Sequence, residues 1–133
     1  SARFNKKMEL HGGGTSERSF IHIDDVAEAT NKILLNAKPG SSWHISTRNT
    51  ISIKNLVKKI CQLCNVDFES IVNISGERLG KDQSYLLDSE AIRKEFDWKD
   101  NIELEEGIKS TIKWIDENSI YFEKITWDYQ HKL

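Results

Sequence analysis

Between Arg18 and Val26 the chain reads Arg-Ser-Phe-Ile-His-Ile-Asp-Asp-Val, and this stretch constrains the fold more than any other. Ser19 to Ile23 has the composition of a short strand, and it runs directly into a helix expected from about Asp25 to Asn36. Val26, Ala29, Thr30, Ile33 and Leu34 give that helix an apolar stripe at helical spacing. Asp24 or Asp25 can cap the helix and complement its positive end, and Lys38-Pro39-Gly40 stops it. A strand that feeds a helix directly is the building unit of α/β and α+β chains.

The rest of the chain repeats the alternation. Met8 to His11 reads as a strand, and Gly12-Gly13-Gly14 as the turn after it. Ser42 to Ser46 is an expected strand, followed by a polar turn from Thr47 to Thr50. Ser52 caps a helix from Ile53 to Cys64, with Ile53, Leu56, Val57, Ile60 and Cys64 on one face. Phe68 to Ile74 reads as a further apolar segment, strand-like, and Tyr85 to Asp88 as a short strand. Ser89 can cap a helix carrying Ala91, Ile92 and Phe96, closed by Trp98. The last helix begins near Leu104 and aligns Leu104, Ile108, Thr111, Ile112 and Ile115. The expectation is one small mixed sheet with about four helices over residues 1–120, and an aromatic tail over 121–133 (Tyr121, Phe122, Trp127, Tyr129).

Composition removes several classes of function. At 133 residues the chain is one domain long and can bury a core, and 38% hydrophobic with 30% charged residues is globular composition. A net charge of -2 gives no general pull toward nucleic acid, and no dense Lys/Arg run makes a local one. Apolar runs of only a few residues predict no membrane span, and no leader pattern is visible. A cytoplasmic location is the expectation, and a chain opening Ser1-Ala2-Arg3 without Met reads as a fragment. Cys61 and Cys64 lie within a helical pattern, with no second pair or His-x-x-x-His to complete a zinc site. They are expected to be packing thiols.

Several motifs fall on inspection. His11-Gly12-Gly13-Gly14 is like an esterase oxyanion loop, but the Gly-x-Ser-x-Gly elbow is absent. The same glycines complete neither a Walker loop nor a Rossmann loop, so a tight turn explains them. Asp24 and Asp25 are adjacent and point in different directions, so capping explains them better than acid-base work. His22 and His44 sit in apolar strand-like surroundings as hydrogen-bonded packing residues. Arg18 and Arg78 remain. An arginine fork makes paired, charge-assisted bonds to phosphate, and two arginines from separate loops can clamp a diphosphate from two sides.

Five motifs in order resemble the C-terminal portion of the nucleotide-sugar epimerases and dehydratases, the extended short-chain dehydrogenase/reductase family, from about Met8 to Glu117. They are Leu10-His11-Gly12-Gly13-Gly14, Arg18 to Val26, Trp43-His44-Ile45-Ser46, Arg78-Leu79-Gly80-Lys81-Asp82 with Tyr85, and Asp88 to Lys99 with Leu104 to Ile108. The resemblance implies that Arg18 and Arg78 bind the diphosphate of a nucleotide-sugar. It places His11, with the Glu9 backbone, near the base. It places Asn49 at the phosphates, and Lys81 and Asp82 toward the ribose or base. Leu79 stands where the family has proline, Lys81 where dehydratases often have histidine, and Glu103 where a capping serine is common.

The family's catalytic parts are missing from this sequence. It has no Gly-x-x-Gly-x-x-Gly loop for NAD and no Tyr-x-x-x-Lys pair: Ser89, Ile125 and Leu133 follow Tyr85, Tyr121 and Tyr129 at that spacing. The resemblance therefore implies a substrate-binding segment lacking the Rossmann half and catalytically silent as it stands. NAD and the catalytic tyrosine would belong to the intact enzyme. Loss of that half is expected to expose an apolar patch and drive self-association. The alternative is a stand-alone, non-catalytic module that binds a nucleotide-sugar or a protein partner.

Overall fold

The structure, a computed structural model, describes residues 1–77, 80 and 82–124. Strands β1 (Met8–His11), β2 (Glu17–Arg18), β3 (Ile51–Ser52), β4 (Val72–Ser75) and β5 (Ser84–Tyr85) alternate with helices α1 (Ile23–Asn36), α2 (Ile53–Leu63), α3 (Phe68–Ile71), α4 (Glu90–Phe96), α5 (Leu104–Glu117) and α6 (Ser119–Glu123). The chain is mixed α/β, as its alternation implies. Four helices match the expected ones, and α3 and α6 add single turns of four and five residues.

The strands form two small sheets in place of the single one expected. In one, β1 and β4 run parallel, from Met8 opposite Val72 to His11 opposite Ser75. In the other, β2 lies between β3 and β5, antiparallel to β3 and parallel to β5, with Arg18 opposite both Ile51 and Tyr85. Gly12–Gly14 joins the sheets as a tight turn with all three glycines at positive φ.

The described residues bury two core clusters. Leu10, Val57, Cys61, Phe68, Ile71 and Val72 bury one face of α2 against β1 and β4. Ser52 caps α2 by accepting a bond from the Asn55 N–H at 3.2 Å, as expected, and Asn65 leaves the helix at a φ of 55. Cys61 and Cys64 are both buried free thiols, and burial pushes both above the ordinary thiol range. They are inert packing groups. The second core joins Ala29, Ile92 and Trp98, with Ile21, Ile33, Trp43, Ile45 and Phe96 around them.

Several local expectations give way to hydrogen bonding. The Ser19–Ile23 segment is not a strand: β2 ends at Arg18, and α1 begins at Ile23. Its cap is neither aspartate but His22, whose Nδ1 accepts the Asp24 N–H at 3.2 Å. The Ser42–Ser46 segment pairs with no strand among the described residues, although Trp43 and Ile45 pack into the second core. Phe68–Ile74 divides into α3 and most of β4, and the strand expected at Tyr85–Asp88 is only Ser84–Tyr85. Ser89 does not cap α4 with its hydroxyl, which donates to the Ser46 carbonyl; Asp88 Oδ1 accepts the Glu90 N–H instead.

Asp25 is 3% exposed and serves as a pin rather than a cap. Its two carboxylate oxygens accept the backbone N–H groups of Asn101 and Ile102, each at 3.0 Å, and its carbonyl accepts the Trp98 indole N–H at 3.3 Å. The loop before α5 is thereby fastened to the first turn of α1. Gly107 completes the junction, because a Cβ there would lie 3.0 Å from the His22 ring; close approach outweighs the roughly 1 kcal/mol that a mid-helix glycine costs. Replacing Asp25 by alanine strands two donors, so Asp25→Ala is expected to lower unfolding free energy by about 2–4 kcal/mol in urea denaturation. A loss below about 1 kcal/mol would show that the pin is dispensable.

Candidate functional site

Of the residues singled out in the sequence, Arg18 ends β2 in contact with Asp82, Asn49 lies just before β3, and His11 ends β1 in the other sheet. Arg18 is half-buried, and its guanidinium donates to the Glu17 carbonyl at 2.6 Å and the Asp82 carbonyl at 2.9 Å. The second bond closes a distance of 64 residues and ties β2 to the segment carrying the second arginine motif. Glu17 reinforces it through its own N–H to the Gln83 carbonyl at 2.9 Å. Arginine carries five N–H donors, so two backbone bonds leave capacity for an anion. Arg78 and Lys81 lie outside the described residues, as does Leu79. Gly80, between them, has a φ of 77, which favours glycine.

His11 lies at the end of β1, in the other sheet, with its Nδ1 2.8 Å from the Ser75 hydroxyl. Ser75 ends β4, and Asp82 lies just before β5. Ser75 thus lies beside His11 and Asp82 beside Arg18. The Glu77 carboxylate lies against Gly12, where any side chain would collide with it. Gly12–Gly14 runs into a strand and not a helix, so it supplies no helix N-terminus to a dinucleotide. Together with that carboxylate, this makes the glycine turn unfit as an NAD cradle.

Asn49 reaches the same region from the β3 side. It is exposed, two residues before Ile51, and shares a cavity of about 40 Å³ with Phe20, Ile21, Thr47, Asp100 and Ile102. Its N–H donates to the Thr47 hydroxyl oxygen at 3.2 Å. Behind it is a polar cluster that sequence reading missed. The Arg93 side chain is 8% exposed and donates to Asp100 at 2.6 Å, to the Ser46 carbonyl at 2.9 Å and to the Ser89 hydroxyl at 3.0 Å, while its guanidinium carbon stands 4.9 Å from the Trp98 ring centre. Nothing in sequence separates this arginine from any charged residue on the exposed face of a helix. The only signal is its spacing, four after Ser89 and seven before Asp100.

Burial alone would raise the Asp100 carboxyl, but hydrogen bonds from Thr47 and Arg93 and the Arg93 charge hold it below the usual carboxylate range. The exposed Glu105 is lowered further, to about 2, by Lys109 and Lys59, a surface pairing of α5 with α2. Among the described residues no group of His, Cys, Asp and Glu is arranged to hold a metal. No helix of the described residues is long and apolar enough to cross a membrane.

The mixed α/β fold, with its two small sheets among the described residues, matches part of the fold of the extended short-chain dehydrogenase/reductases. The chain belongs to that nucleotide-sugar dehydratase and epimerase family: the family model described as GDP-mannose 4,6 dehydratase matches residues 2–111. It is 34% identical to human dTDP-D-glucose 4,6-dehydratase over 119 residues, covering 86% of this chain and 34% of that protein. It is 32% identical over 111 residues to a trifunctional UDP-glucose 4,6-dehydratase, 3,5-epimerase and reductase of Arabidopsis thaliana, covering 84% of this chain and 16% of the relative. The fold superposes with a TM-score of 0.83 on dTDP-glucose 4,6-dehydratase from Streptomyces venezuelae with NAD and TYD bound, at 24% identity, over 89% of this chain and 36% of that one. The chain thus spans about a third or less of these relatives.

The lowered Asp100 carboxyl has a pH consequence. A group with a depressed folded pKa contributes stability above its unfolded value, near 3.8, and that contribution is lost as pH falls through the folded value. Urea midpoints measured from pH 6 down to pH 2 are expected to fall less steeply below pH 4 for Asp100→Asn than for the natural chain. Parallel profiles would remove Asp100 from the acid response.

Proposed function

We propose that this chain is the nucleotide-sugar-binding segment of an NAD-dependent nucleotide-sugar 4,6-dehydratase or epimerase, and that it performs no chemistry by itself. The observation that supports this reading is the Arg18–Asp82 contact, which ties the end of β2 to the last residue of the second arginine motif. Arg18 and Arg78 would grip the diphosphate from two sides, with Asn49 against the phosphates. His11, Lys81 and Asp82 would lie toward the nucleoside.

The contribution to catalysis is positional. A clamped diphosphate fixes where the attached sugar can lie, and so converts binding energy into orientation of the reacting carbon. NAD supplies hydride acceptance and return in enzymes of this kind. The glycine turn here does not fit the group, and we read the NAD-binding segment as lying outside the described residues. No proton-transfer step is assigned to the described residues. The relatives' greater length supports a segment of an enzyme over the alternative of a self-sufficient binding module.

Calorimetric titration with UDP and dTDP tests the reading directly. Arg18→Ala is expected to weaken binding about tenfold or more, the scale of losing a charge-assisted pair. Unchanged affinity would remove Arg18 from the site.

The outer face of α1 supports a partner for the segment. Ile23, Leu34 and Leu35 are 69%, 79% and 71% exposed, and Ile23 and Leu34 lie on one side of the helix. We read this face as the seat of the dinucleotide-binding half, and the chain without that half should associate with itself. Light scattering is expected to give a mass above 15.4 kDa that rises with concentration. A clean monomer at high concentration counts against this.

A further inference from the structure

We propose that Arg93 and Asp100 act through Thr47 as positioning residues for Asn49, and so set the phosphate-facing wall of the site. The inference rests on the reading of that site as a diphosphate seat. Its substance is a relay of hydrogen bonds. The Asp100 carboxylate accepts from the Arg93 guanidinium, Arg93 donates to the Ser46 carbonyl next to Thr47, and the Thr47 oxygen in turn accepts the Asn49 N–H.

Three features separate this relay from ordinary structural pairing. First, the 42–50 segment belongs to no sheet or helix, so side-chain bonds must supply the order that a ladder would otherwise give. Second, Arg93 also holds the Ser46 carbonyl, directly and through Ser89, so the approach to Thr47 is fixed from both sides. Third, Thr47, Asn49 and Asp100 line one cavity with Phe20, two residues beyond Arg18. The relay therefore ends beside the arginine that the diphosphate reading requires. Burying a guanidinium at 8% exposure is costly unless its donors are used, and here they are used on Ser46, Ser89 and Asp100.

Thr47 is the place to cut the relay, because it is 8% exposed and valine matches its shape. In the 133-residue chain, Thr47→Val should weaken UDP and dTDP binding about tenfold, while Thr47→Ser, which keeps the hydroxyl, should stay within about twofold of the natural chain. Titrations are run well below each variant's Tm, so that fold loss does not enter the affinity. Arg93→Lys keeps the charge but cannot serve Ser46, Ser89 and Asp100 together; a loss of about threefold is expected, and it provides the test should Thr47→Val not fold. If Thr47→Val, or Arg93→Lys in its place, lowers Tm but binds like the natural chain, the relay serves the fold alone and the proposal fails. If the natural chain binds neither nucleotide, the diphosphate reading fails first and the proposal with it.

Discussion

The carboxylate of Asp25 is the constraint on which the second half of the molecule depends. It is buried at the start of α1, yet it spends both oxygens on backbone groups 76 and 77 residues further along. A buried carboxylate is tolerable only when its acceptor capacity is filled, and here two N–H donors fill it. Those donors precede α5, whose own N-cap Glu103 makes no side-chain capping bond. The first turn of one helix thus settles where another begins. The second core has only three fully buried residues, Ala29, Ile92 and Trp98, so polar pins carry positional information that packing carries in larger cores.

The same loop serves fold and site together. Asp25 fixes residues 101 and 102, Trp98 lies over the carbonyl of Asp25, and Asp100 between them faces Arg93 and Thr47. A change in how α1 seats the 98–102 segment would reach Asn49 within a few bonds. The glycine turn plays the same part for the first core, since β1 leads through it to β2 and Arg18.

Much of this was legible in sequence where local chemistry and long-range packing agree. The α2 helix, with Ser52 before an apolar stripe, and β1, bounded by three glycines, fall where expected. Arg18 and Asp82 could be paired by motif order, and the structure brings them into contact. What failed was whatever depended on a distant partner. The Trp43–Ile45 segment has strand composition, but a strand exists only with a neighbour to receive its N–H and C=O groups. Asp24 and Asp25 both satisfy the rule for a cap, and nothing local reveals that the cap is His22 while Asp25 is drawn inward. Arg93, Asp100 and Thr47 were invisible for the same reason: each is unremarkable alone, and the meaning lies in bonds across 43 and 47 residues of chain.

That pattern bears on how a site of this kind holds its shape. The direct grip proposed for the diphosphate is an arginine at the end of a two-residue strand, a short and weakly propagating element. Such a strand cannot orient a long side chain by ladder hydrogen bonds alone, and Arg18 is instead moored by its own guanidinium to the Glu17 and Asp82 carbonyls. The Asn49 N–H is moored by the hydroxyl of Thr47, and the Ser46 carbonyl beside Thr47 by Arg93. In both cases the group facing the ligand is set by a charged or polar neighbour already committed to the backbone. Preorganisation of this form reduces the conformational entropy lost when an anion arrives. Under the proposed reading it also makes the site sensitive to residues that never touch the ligand, so the buried charges of this fold would serve recognition as well as stability.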